Sequence, residues 1–112
     1  MPPRKPQIGR LWHGRTTFAN AHPYQEHLRR ETLPGLTAID GFQGAYVLKR
    51  VANGAVEFLV LTLWASEEAI HAFAGRDAEL AVIPAAAEQL LAQWDERATH
   101  YEVVLASRNE PT

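Results

Sequence analysis

Across the middle of the chain, apolar residues fill both sides of an alternating pattern. In residues 57–75, EFLVLTLWASEEAIHAFAG, Phe58, Val60, Thr62 and Trp64 fall on one side of an extended strand, and Leu59, Leu61 and Leu63 on the other. Successive strand side chains point to opposite faces, so both faces of this strand need a cover. The period then changes. Ser66 is placed to cap a first helical turn, and Glu67 and Glu68 suit the positive end of the helix dipole. Ala69, Ile70, Phe73 and Ala74 recur at spacings of three and four, and Gly75 supplies a left-handed stop. Read from its pattern alone, the stretch is a core strand with its packing helix. Trp64, His71 and Phe73 lie near the corner between them.

The remaining elements arrange themselves around this unit. Residues 8–16, IGRLWHGRT, form a more polar strand, with Arg10, Trp12 and Gly14 on one face and Leu11, His13 and Arg15 on the other. Such a strand is either the wall of a pocket or an edge whose charges reach water. Residues 17–21 are expected to connect it to a helix that has Pro23 in its first turn. Tyr24 and Leu28 mark the inward side of that helix, and Pro34-Gly35 breaks it or kinks its end. Residues 42–51 are a second strand. Asn53-Gly54 is a tight hairpin turn, which pairs that strand antiparallel with the central one. Asp77 is expected to cap a short helix running to about Val82. From Pro84, Ala87, Leu90, Leu91 and Trp94 follow the spacing of an amphipathic helix. Residues 99–105 are the last strand.

Strand, helix, strand, strand, helix, strand is the ferredoxin-like β-α-β-β-α-β arrangement, an α+β fold with an antiparallel sheet and helices on one face. One domain over residues 8–105 is expected, with flexible tails at 1–7 and 107–112. The other face of the central strand remains apolar. Exposed apolar patches of more than a few hundred Å2 are rare on monomers. A homodimer with its sheets packed into a dimeric α+β barrel is therefore expected.

Composition narrows the function classes. The chain of 112 residues has no cysteine, which excludes disulfides and thiolate metal sites. Its formal charge of −2 gives no general attraction to nucleic acid or an anionic membrane. No apolar run is long enough to span a bilayer, and the first residues lack the apolar core of a signal peptide, so the cytoplasm is the expected compartment. Phosphate loops, paired zinc histidines and nucleophile elbows are absent from the sequence. No metal site is expected.

The Trp-His-Gly of residues 12–14, the passage from Pro34 to Gly44, LTLWASEEAIHAFAG at 61–75 and His-Tyr-Glu-Val at 100–103 together resemble the antibiotic biosynthesis monooxygenase family. The resemblance spans about residues 8–105. It implies a dimeric α+β barrel and a cofactor-independent oxygenase, acting on a small hydrophobic aromatic or polyketide-like substrate. In such an enzyme a base deprotonates a phenol or enol, and the anion supplies electrons to oxygen. His13, His27, His71 and His100 are the candidate bases. His13 and His71 are preferred as the catalytic pair, with Trp12, Tyr24, Trp64 and Phe73 as the substrate-binding wall. His27 is expected at the surface. Two other readings stay open: a non-catalytic dimer that binds a small apolar ligand, and a haem-binding or haem-degrading protein. A haem-degrading branch of the family uses an Asn, a Trp and a His. The corresponding positions here fall near Trp12, on Phe73 and near Ile83-Pro84, so all three depart from that pattern.

Overall fold

The computed structural model describes residues 6–107. Most of the two expected tails, residues 1–5 and 108–112, lies outside the described residues. Gln7, assigned to the first tail, accepts a backbone hydrogen bond from Val103 at 2.8 Å.

Five antiparallel strands make one sheet: β1 (Ile8–Thr16), β2 (Phe42–Ala52), β3 (Ala55–Trp64), β4 (Gln93–Trp94) and β5 (Thr99–Glu102). The order is β2-β3-β1, with β4 and β5 sharing the far edge of β1. β3 lies opposite β1 from Ile8↔Trp64 to Thr16↔Val56. The hairpin to β2 closes at Asn53 and Gly54, whose φ angles of 53° and 74° are the positive pair that the Asn-Gly signal requires. Ala55 then pairs with Ala52 and the ladder runs on to a bulge at Gln43.

The helices are α1 (Phe18–His27), α2 (Leu33–Thr37), α3 (Glu67–Ala74) and the single turn α4 (Ala85–Glu88), with a π turn over Leu28–Thr32 joining α1 to α2. α3 begins and ends as its sequence requires. The Ser66 hydroxyl accepts from the Ala69 N–H at 3.3 Å, and the chain turns off at Gly75 with φ of 83°. The first helical segment starts earlier than expected. Thr17 caps it through Asn20, which puts Pro23 inside α1 rather than in its first turn. A proline there leaves the carbonyl of Ala19 without its helical donor. Ala19 is exposed, so water can replace that donor. Pro34 does not break the segment either. Helical structure widens into the π turn, where the Leu33 N–H reaches the Leu28 carbonyl, and continues to Thr37.

Of the two helices expected after Gly75, one is not formed and the other is cut short. Asp77 caps no helix. Its carboxylate takes two hydrogen bonds from Arg97, at 2.8 and 2.9 Å, and the chain makes one turn, closed by the Leu80 N–H on the Asp77 carbonyl at 3.1 Å, into a bridge between Leu80 and Arg97. The amphipathic spacing from Ala87 to Trp94 yields only α4. The free edge of β1 captures the rest: the Ala92 N–H donates to Arg15 O at 2.8 Å and the Asp95 N–H to His13 O at 3.0 Å. Ladder bonds to an existing strand outweigh the weak preference of so short a segment for helix.

The core lies on one side of the sheet. Phe58 and Trp64 of β3 are fully buried there, and Ile8 and Trp12 of β1 are nearly so. Tyr24 and Leu28 cover one half, and Leu36 and Ile70 the other. Tyr24 meets Phe58 edge-on, with ring centroids 5.0 Å apart. On the opposite side Leu11, Leu59, Leu61 and Leu63 are half-buried, while Tyr46 and Leu48 are 62% and 50% exposed. Among the described residues no helix is long and apolar enough to cross a membrane.

Two outcomes follow from this packing. A Cβ at Gly14 would lie 2.5 Å from the Trp12 ring and 3.0 Å from Leu91, so Gly14→Val should destabilise the fold by about 1–3 kcal/mol in urea titration. Burial pushes the Tyr24 phenol well above its ordinary value of 10.0. The neutral phenol is the form the fold favours. Its stabilising effect is therefore full below about pH 10 and is lost as pH rises beyond it. In alkaline melts the wild type should lose stability above that pH more steeply than Tyr24→Phe.

Candidate functional site

Between the core face of the sheet and the helices lies a partly open chamber of about 60 Å3. β1 contributes Arg10 and Trp12, and β3 contributes Val60 and Thr62. Strand alternation puts all four on the same face. The helical side contributes Tyr24, His27, Leu28, Thr32 and Leu36 from the α1–α2 segment and Phe73 from α3. Val82, Ile83 and Pro84 close the remaining side. The chamber adjoins a wider space of about 590 Å3, which shares His27, Thr32, Leu36 and Phe73 and is bordered outside by Glu31 and Gly35.

The π turn explains how so many residues of one helical segment reach the same space. An α-helix brings every third or fourth residue to one side; a π turn holds one more residue per turn and widens that side. His27 follows Tyr24 by three positions and stacks near it, with centroids 6.5 Å apart and planes 16° from parallel. The His27 Nε2 is buried and has no hydrogen-bond partner among the described residues. Buried polar atoms are almost always partnered, so this nitrogen is a candidate for contact with a bound molecule.

Arg10 is the second unusual group. It is 6% exposed. One guanidinium nitrogen donates to the Leu80 carbonyl at 2.8 Å, and the Nε is buried without a partner among the described residues. The guanidinium carbon stands 5.3 Å from the centre of the Phe73 ring, a cation–π arrangement. Loss of hydration lowers the Arg10 pKa, against a smaller opposing effect of the Glu79 charge. Phe73 is itself stacked on Trp64 at 5.9 Å, and the Trp64 indole N–H donates to the Thr62 hydroxyl at 2.8 Å. Trp64 thus supports the wall from beneath and does not line the chamber.

Of the residues expected from sequence, Trp12, Tyr24 and Phe73 are brought together around the chamber. His13 and His71 are not. His13 points to the opposite face of the sheet, where its Nδ1 lies 3.0 Å from the Asp95 carboxylate. The next residue in a strand faces away from its neighbour, so Trp12 and His13 cannot both face the cavity. His71 is exposed on α3, with its Nδ1 2.8 Å from the Gly75 carbonyl at the helix end. His100 is nearly buried and lies opposite Arg10 in the ladder, 3.5 Å from Glu67, outside the chamber lining. Among the described residues no three His, Asp or Glu side chains are grouped to hold a metal ion.

Arg10 and His27 are the site residues that sequence reasoning undervalued. Both carried a signal. Arg10 shares the period-two face of Trp12, and His27 lies between Tyr24 and Leu28 of the helix stripe.

No family model matches the sequence, and no curated protein matches it. Solved structures do. A candidate antibiotic biosynthesis monooxygenase from Bacillus cereus superimposes with a TM-score of 0.66 at 18% identity, over 93% of this chain and 99% of that one. The monooxygenase from the gene ActVA-Orf6 of Streptomyces coelicolor, solved in complex with nanaomycin D, gives 0.52 at 15% identity, over 99% and 96%. Identities this low speak to architecture and not to chemistry. The chain has the fold of the antibiotic biosynthesis monooxygenases.

Proposed function

We propose that this protein is a cofactor-independent monooxygenase of a small hydrophobic aromatic, polyketide-like substrate. The observation that carries the reading is the His27 Nε2, buried and unpartnered among the described residues, in a chamber walled by Trp12, Tyr24 and Phe73. The outer space of about 590 Å3 has the volume of a small-molecule site. The Streptomyces coelicolor neighbour was solved with nanaomycin D, and that ligand class is carried over to this chain here.

In this mechanism His27 takes the proton of a phenol or enol. The anion passes one electron to dioxygen, the two radicals combine into a peroxide on the ring, and His27 returns its proton to make the hydroperoxide. Loss of water from that carbon leaves a quinone. One dioxygen is consumed per phenol, one oxygen atom entering the product and the other leaving as water. Arg10 supplies fixed positive charge as the anion forms, and the aromatic walls exclude water.

Oxygen uptake with a panel of quinols and polyphenols tests this. His27→Ala should lower kcat by about a hundredfold or more. His13→Ala and His71→Ala should each keep most of the activity. A compound that raises the melting temperature, consumes no oxygen and is recovered unchanged would instead make the protein a binding module.

The same reading includes a homodimer that covers the open face at Leu59, Leu61, Leu63, Tyr46 and Leu48. Burying such a surface is favourable by about 25 cal/mol per Å2 of apolar area. Sedimentation at micromolar concentration should give twice the chain mass of 12.5 kDa, and Leu61→Glu should shift it to the single chain. A wild type that sediments as one chain refutes this part of the reading.

A further inference from the structure

Among the described residues that line the inner chamber, Arg10 alone is permanently charged. Buried charges are normally paired. Arg10 forms no ion pair among the described residues. Glu79 acts on it from a distance, and the shortest charged contact of Glu79 is to Arg97 at 4.0 Å. An arginine does not relieve its burial by releasing the proton. Its carbonyl bond to Leu80 and the face of Phe73 offset part of the lost hydration and bring no negative charge.

The two parts of the cavity differ in what they can hold. An apolar cavity of about 150 Å3 accepts a benzene. The inner chamber, at about 60 Å3, is too small for a ring and large enough for an acid group. The outer space, at about 590 Å3, accommodates a bicyclic or tricyclic body. A guanidinium presents donors in a planar fork that matches a carboxylate.

We propose that the ligand of this cavity is an aromatic carboxylic acid, bound with its carboxylate on Arg10 in the inner chamber and its rings in the outer space. This rests on the cavity reading above and adds the substrate class. Arg10 is then the residue that selects for acids over neutral analogues, and it acts before any proton is moved.

The test is calorimetric titration of the full chain with 1-naphthoate and with its neutral isostere 1-naphthamide, at about pH 8.5, where an ordinary imidazole is uncharged. The wild type should bind the acid at least about tenfold more tightly. Arg10→Met, which keeps the length and removes the charge, should bind the two alike. His27→Gln should keep the preference for the acid. If circular dichroism shows Arg10→Met unfolded, Arg10→Lys serves in its place; it should favour the acid by a smaller factor, because it lacks the fork. Equal affinities in the wild type, or an undiminished preference in a folded Arg10→Met, overturn the proposal and leave the cavity reading standing. Binding of neither compound to the wild type overturns both.

Discussion

Strand β3 has no side that belongs in water, and the rest of the molecule answers to that constraint. Phe58 and Trp64 require the helices, and Leu59, Leu61 and Leu63 require a further partner. Because β3 pairs along its whole length with both β1 and β2, the residues beside these side chains inherit the same division into faces. Arg10 and Trp12 therefore stand on the helix side whatever their polarity. A charged residue enters the interior because its register position demands it, and the cavity forms around it.

The wall of that cavity is a chain of dependent contacts. The Thr62 hydroxyl fixes the Trp64 indole, Trp64 supports Phe73, and Phe73 faces the guanidinium. Each member is held by the one beneath it, so the geometry at Arg10 depends on Trp64, which does not itself line the chamber. Trp12 is fixed separately, by the bond from its indole N–H to the Asp95 carbonyl at 2.8 Å. Two sequence segments more than eighty residues apart thus hold the same wall.

Strand alternation made most of the sheet legible from sequence. The faces of β1 and β3, the turn at Asn53-Gly54 and the cap at Ser66 each rest on local stereochemistry that tertiary contacts did not oppose. The segment after Gly75 failed for the opposite reason. Leu90, Leu91 and Trp94 do carry helical spacing, but an unpaired strand edge lay within reach and its hydrogen bonds took precedence. The site was half legible. Trp12, Tyr24 and Phe73 are apolar and announce burial, whereas His27 and Arg10 are polar and read as surface until their neighbours are known. His13 neighbours Trp12 along the chain but faces the other side of the sheet, as strand alternation requires.

The π turn between α1 and α2 has a consequence for how such a cavity can vary. It amounts to one surplus residue in an otherwise α-helical run. Deleting a single position there would restore the ordinary pitch, keep the flanking helical residues in register and remove the bulge that widens the lining. The cavity's dimensions are thus tied to chain length at one point. Lineages could remodel their specificity in a single step by gaining or losing that residue, leaving the sheet beneath unaltered.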